Sequence, residues 1–303
     1  MKHQYKYADE VAHALAVHAP VVALETTLVT HGLPHPDGVT TALSLEQIVR
    51  EAGATPATIG VIDGAIRIGL TRDELEQLAT TSGVAKINLS NLAAAVSSGE
   101  PGSTTVAATM FAAHASAIRV FATGGIGGVH RDAHESGDIS ADLTALSRIP
   151  VAVVSAGAKA ILDLPRTVEM LETLGVPVLG FETDEFPAFY RRSTGLPVDR
   201  RYDSITELAS AVRLHLSLGL GTGVLIANPI PGADEMPSEL YERALHTALS
   251  EAETRRIRGR AVTPFLLDRM RSVTGGESVR ANVALLRHNA QVAAALAVAG
   301  VSE

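Results

Sequence analysis

Residues 118–159 read IRVFATGGIGGVHRDAHESGDISADLTALSRIPVAVVSAGAK. An apolar run, 118–122, empties into glycines at 124, 125, 127 and 128; a polar segment with histidines and aspartates follows, and a second apolar run, 151–154, ends in Ala-Gly-Ala-Lys. Short apolar runs bounded by glycine and polar residues are the pattern of buried strands. Both runs therefore predict strands that deliver chemistry to the same end of a sheet.

Working outward on the N-terminal side, residues 8–18 predict a short amphipathic helix, and 21–24 an apolar strand that ends at Glu25-Thr26-Thr27. THGLPHPDG is a Pro/Gly loop, 39–52 a helix closed by Gly53. Residues 57–70 form two strands around Asp63-Gly64, a strong hairpin signal, and Thr71 to Glu74 matches a capping box. Residues 84–89 make a short strand carrying Lys86, and Gly102-Ser103-Thr104-Thr105 precedes a helix of small residues. On the C-terminal side the pattern predicts a helix over 160–174 and a strand over 176–181. A polar, arginine-rich excursion over 186–202, the best candidate for a loop or flap, leads to a helix over 204–218. A strand over 223–227 ends in Asn228-Pro229-Ile230-Pro231, and mainly helix follows. Strands alternate with helices and no linker interrupts them. The expectation is an α/β chain, one domain over 1–303, with a mixed central sheet between helical layers in an α/β/α fold.

Apolar residues make up 46% of the 303, aromatics only 4%, and Trp is absent, so the interior must be built from Ala, Val, Leu and Ile. A chain this long buries roughly three quarters of its unfolded surface. The formal net charge of −8, without a basic stripe, argues against nucleic acid or an anionic membrane as partner. Zero cysteines exclude disulfides, thiol nucleophiles and Cys-ligated zinc. The N-terminus lacks a signal-like apolar region and no long apolar run occurs, which predicts a soluble, cytoplasmic protein.

The glycine cluster fails as a nucleotide loop: GxGxxG counted from Gly125 demands glycine where His130 stands, and no GK[ST] follows. It is either a tight turn or a backbone cradle for an anion. His130, His134, Asp138 and Asp142 recur every four residues, which on one helix would align four ligands. Gly137 argues against one uninterrupted helix, and a hard cation needs only one or two carboxylates. Asp138 is then a metal ligand or a helix N-cap, and Ser140 is an equally good cap.

Lys159, directly after a buried strand and a small-residue turn, predicts a partly buried amine able to form a Schiff base, or a lysine that snorkels to solvent. Glu25 at a strand end suits acid/base work, or is a buried carboxylate bonded to a neighbouring loop. Lys86 is a phosphate clamp or a solvated lysine; Asn228 and Asn282 bond a ligand or are turn or core amides. GxSxG and HExxH are both absent.

The blocks VALETT, THGLPHP, TTVAATM, FATGGIGGVHR, DISADL, AGAKAILDL, ANPIP and TPFLL, in this order over about residues 20–290, resemble the pseudouridine-5′-phosphate glycosidases of the indigoidine synthase A-like family. The resemblance implies reversible cleavage of the C–C glycosidic bond of pseudouridine 5′-phosphate to uracil and ribose 5-phosphate, with one divalent cation, usually Mn²⁺, per subunit of a homotrimer. It implies Lys159 as the nucleophile, Glu25 as the proton donor and Asp138 as the metal ligand. Lys86, Val106, Ser140, Ala141 and Asp142 would contact substrate, and His130 and Asn282 would belong to the pocket. Threonine stands in VALETT where serine is common in the family, and RDAHESG is the least family-like part, so His134 and Glu135 receive no role.

Overall fold

The computed structural model describes residues 4–257 and 262–301. Its framework is one mixed sheet of 11 strands: β1 (Tyr5–Tyr7), β2 (Val21–Leu24), β3 (Thr55–Ile62), β4 (Ala65–Ile68), β5 (Ala85–Ile87), β6 (Gly102–Thr104), β7 (Val120–Ala122), β8 (Ala152–Ser155), β9 (Val178–Phe181), β10 (Arg200–Tyr202) and β11 (Val224–Ala227). Strands lie side by side in the order β1, β4, β3, β2, β7, β8, β11, β9, β10, with the β5–β6 pair attached to β3 through β6. From β3 to β10 all neighbours along this path run parallel. β4 and β6 run antiparallel to β3, so the sheet is mixed.

The sequence explains the burial. β2, β7, β8 and β11 consist almost wholly of Val, Ala, Leu, Ile and Phe and are buried at every position, as strands covered on both faces must be. The cover comes from helices. α1 (Asp9–Ala16), α2 (Asp37–Glu51), α3 (Arg72–Thr80), α4 (Leu92–Ser98) and α5 (Val106–Ala115) precede the stretch quoted first; α6 (Ala133–Ser136) and α7 (Ala141–Leu146) lie within it. α8 (Leu164–Thr173), α9 (Ile205–Ser217), α10 (Ser238–Thr254), α11 (Val262–Val273) and α12 (Glu277–Leu296) follow. α5 and α12 both pack on β2 and β7. α12 is buried at Ala281, Leu285, Asn289 and Val292, a stripe of near-helical period. Among the described residues no helix is long and apolar enough to cross a membrane.

The hairpin β3–β4 turns at Asp63-Gly64 with both residues at positive φ. The capping box at α3 forms: the Thr71 hydroxyl accepts the Glu74 N–H at 3.2 Å and Glu74 accepts the Thr71 N–H at 2.8 Å. Two expectations need correction, and one strand was not anticipated. Gly102-Ser103-Thr104, read only as the lead into a helix, is the strand β6, drawn into the sheet by pairing with β3 and β5. Helix α8 starts at Leu164, because the Asp163 side chain accepts the Arg166 N–H and Pro165 occupies the first turn. The excursion over 186–202 is not a bare loop: Phe186, Ala188, Phe189 and Tyr190 are buried, and Arg200–Tyr202 joins the sheet beside β9. Its aromatic residues enter the core while Arg201 pairs outward with Asp184 and Asp203, each at 2.8 Å. The mainly helical remainder is borne out by α10 to α12, with 258–261 outside the described residues.

Candidate active site

In the parallel part of the sheet, the connection from β2 runs to β3 on one side and the connection from β7 runs to β8 on the other. Between β2 and β7 the winding reverses, and such a switch point opens a crevice at the carboxyl ends of the strands. A cavity of about 600 Å³ opens there. All ten site residues expected from the sequence line it: Glu25, Lys86, Val106, His130, Asp138, Ser140, Ala141, Asp142, Lys159 and Asn282. They come from seven separate segments, so only the fold brings them together.

Glu25 follows β2 directly. Thr26 pins that strand end: its hydroxyl donates to the Ile59 carbonyl of β3 at 2.7 Å and accepts the Thr104 N–H of β6 at 2.9 Å. The Glu25 carboxylate is 6% exposed and accepts two hydroxyls, from Thr27 on one oxygen and Thr123 on the other. Thr123 is itself fixed, since the Asn289 amide of α12 donates to its carbonyl at 2.8 Å and accepts from the Asn228 amide at 2.9 Å. Asn228 is thus a core amide that does not line the cavity. Its buried Oδ1 has no partner among the described residues.

Lys159 reaches the cavity from the other side, after β8. Gly157 holds φ +75°, and a Cβ there would run into the Pro187 carbonyl, so only glycine makes this turn. The Lys159 N–H donates to Ile126 O at 3.0 Å, which ties the lysine to the glycine loop. Its half-buried side chain forms no hydrogen bond or ion pair with the described residues. Lys86 extends from β5 and lines the cavity, with solvent on one side and the cavity wall on the other. Burial pushes its pKa down, the Lys159 charge adds to that, and Asp142 and Glu25 oppose it. Asn91 braces the turn after β5: its side chain accepts the Asn88 N–H at 2.7 Å and donates to the Lys86 carbonyl at 3.1 Å.

The glycine loop is largely spent on structure. The Ile126 N–H donates to Gly157 O at 3.0 Å and the Gly127 N–H to Asp142 Oδ2 at 2.8 Å. A Cβ on Gly127 would collide with the Ser140 hydroxyl. Asp142, 6% exposed, also accepts the Ala107 N–H at the start of α5 through its other oxygen, at 3.0 Å. Its carboxylate therefore clamps α5 to the glycine loop.

The four-residue recurrence is not one helix. His130 precedes α6, which stops at Gly137 in left-handed conformation, and Asp142 belongs to α7, whose N-cap is Ser140 rather than Asp138. His134 is exposed, 3.8 Å from Glu135. Asp138 faces the cavity with a partly exposed carboxylate whose Oδ2 lies 3.9 Å from His130 Nε2. Among the described residues no three His, Cys, Asp or Glu side chains group as a metal cage. One unencumbered carboxylate fits a hard cation whose remaining positions are filled by water and substrate oxygens.

Sequence reasoning missed His31, Thr123 and the α11 residues Thr263, Pro264 and Leu267, all of which line the cavity. All five stood inside quoted blocks, THGLPHP, FATGGIGGVHR and TPFLL, which was the only signal available.

Comparison with known proteins places these features in context. The family model described as indigoidine synthase A like protein matches residues 10–299. The chain is 55% identical over 293 residues to the pseudouridine-5′-phosphate glycosidase of Methylobacterium nodulans, covering 97% of this chain and 87% of that one. It is 51% identical to the protein of that name from Caldanaerobacter subterraneus subsp. tengcongensis, covering 96% and 95%. Its fold superposes with TM-score 0.91 and 40% identity on the crystal structure of the prealnumycin C-glycosynthase AlnA in complex with ribulose 5-phosphate, covering 98% and 97%. A Thermotoga maritima indigoidine synthase A-like protein gives TM-score 0.88 at 35% identity, covering 97% and 95%.

Proposed function

The chain belongs to the indigoidine synthase A-like family, and from that premise we propose that it reversibly cleaves the C–C glycosidic bond of pseudouridine 5′-phosphate, giving uracil and ribose 5-phosphate. The observation that carries this reading is the placement of one carboxylate, Glu25, and one amine, Lys159, at the ends of strands flanking a single cavity. The names of the relatives support the substrate.

A carbon leaving group cannot depart by protonation of a glycosidic heteroatom, as in two-carboxylate glycosidases. The Lys159 amine adds to C1′ as the ring oxygen leaves. The proton that the nitrogen sheds on bonding ends on that oxygen as a hydroxyl, which opens the ribose and frees the nitrogen lone pair. The C1′–C bond then breaks: its electron pair goes to the uracil carbon, which takes a proton from Glu25, while the lysine nitrogen lone pair closes the C1′=N imine. Water hydrolyses the imine, releasing ribose 5-phosphate and the free lysine. Thr27 and Thr123 aim the Glu25 carboxyl, and Lys86 supplies positive charge for the phosphate. Asp138 would hold the divalent cation, with Mn²⁺ as the first choice, which adds positive charge beside an anionic substrate.

Incubation of the protein with pseudouridine 5′-phosphate and Mn²⁺, following uracil release, tests the reading. No uracil above a Lys159→Ala control would sink it. The likeness to a C-glycosynthase solved with ribulose 5-phosphate supports a second reading, joining or splitting a pentose phosphate and a different carbon acceptor; in that case ribose 5-phosphate is turned over but uracil is not.

A further inference from the structure

His31 lies in the short π-helical turn Leu28–Gly32 that follows β2, half-buried and lining the cavity. Its Nδ1 is 2.5 Å from the Thr30 hydroxyl oxygen, and that hydroxyl donates to Ser103 Oγ at 2.6 Å. The single proton of Thr30 is thereby committed, so its oxygen can only accept from the ring. Ser103 Oγ also lies 3.4 Å from Nδ1; with the Thr30 proton given to Ser103, the tautomer that satisfies the short Thr30 contact carries its hydrogen on Nδ1 and leaves Nε2 as a bare lone pair. Nε2 meets no partner among the described residues.

We propose that His31 determines base specificity: its Nε2 accepts a hydrogen bond from a ring N–H of the pyrimidine base. This rests on the reaction proposed above. Burial, then the charge of Lys86, pushes the imidazole pKa below its ordinary value, which keeps the ring neutral. A neutral ring presenting a lone pair repels phosphate and carboxylate oxygens and selects a donor. Geometry assigns that donor to the base. Glu25 and His31 leave the same strand end, whereas Lys159 comes from β8, with β7 in between. The side of the cavity that carries the proton for the base carbon therefore also carries the acceptor, and the sugar carbon belongs to the side of the amine.

Binding of uracil and of 1,3-dimethyluracil, which has no N–H, is measured by calorimetry on wild type, His31→Leu and His31→Gln. Methylation of the ligand is expected to weaken binding to wild type about tenfold, the size of one net hydrogen bond. His31→Leu loses a similar factor for uracil and no longer distinguishes the two ligands. His31→Gln, whose carbonyl can replace Nε2, keeps most of the preference. In ¹⁵N spectra of the wild type, uracil moves the Nε2 resonance upfield and ribose 5-phosphate does not. The proposal is overturned if uracil does not bind, if His31→Leu retains the wild-type preference, or if ribose 5-phosphate rather than uracil moves Nε2. Failure of the parent reaction shows separately, as absence of uracil release by wild type from pseudouridine 5′-phosphate.

Discussion

Asp142→Asn separates a structural clamp from a substrate contact. In the structure both carboxylate oxygens are engaged, one by the Ala107 N–H at 3.0 Å and the other by the Gly127 N–H at 2.8 Å. Hydrogen bonds to a charged acceptor are each worth about 1.5–3 kcal/mol. Asparagine keeps one acceptor oxygen and turns an N–H group toward the second donor, so one bond is lost and one buried N–H is left facing another donor. Loss of negative charge from the first turn of α7 removes a further few tenths of a kcal/mol, roughly. The expected destabilisation is about 3–4 kcal/mol. Urea unfolding at fixed protein concentration measures it as a lower midpoint with unchanged slope. A shift worth under about 1 kcal/mol together with a raised KM would refute the clamp and make Asp142 a ligand contact.

Three other outcomes follow from the geometry. Glu46 is buried at 6% exposure and its pKa is raised, by burial first, against the opposing hydrogen bond from Thr58 and charge of Arg50. A raised folded pKa contributes stability that is present at low pH and lost as pH climbs through it, so Glu46→Gln should flatten the stability profile above the ordinary carboxyl value of 4.5 and raise the neutral-pH unfolding midpoint; a lower midpoint at pH 7 would contradict this. Borohydride with ribose 5-phosphate should fix a pentitol phosphate adduct on the Lys159 peptide, and an active enzyme whose Lys159 peptide stays unmodified would rule out the imine. Asp138→Asn should weaken Mn²⁺ binding at least about tenfold by electron paramagnetic resonance titration, with wild-type affinity in the variant as the contrary result.

The parts of the fold legible in the sequence are those with local causes. The runs 118–122 and 151–154 announce buried strands through composition, the Asp63-Gly64 pair dictates a hairpin, and Thr71 with Glu74 builds a cap from four residues. β6 and β1 were not legible, because three residues of Gly-Ser-Thr or Tyr-Lys-Tyr carry no period; their strand character comes from partners distant in sequence. The arginine-rich excursion misled for the opposite reason: charge density hid the buried Phe186, Phe189 and Tyr190. Around the cavity, the lining residues were readable and their bonding was not. Asp142 reads like a ligand contact, and nothing in its sequence context shows that each of its oxygens accepts a backbone N–H. Thr123 reads like a strand end, yet its hydroxyl holds Glu25.

Asn289 gives the site a place in time. The amide that fixes the Thr123 carbonyl sits on α12, as does Asn282 in the cavity wall, and α12 follows every strand in the chain. Synthesis runs from the N-terminus and lets early elements form first. The sheet ends bearing Glu25 and Lys159 can therefore pair while the ribosome is still reading, but the cavity wall closes and Thr123 is fixed only when α12 emerges. A nascent chain cut short before residue 277 would hold both reactive groups without the frame that aims them, so competence arrives as a late event in the life of each molecule.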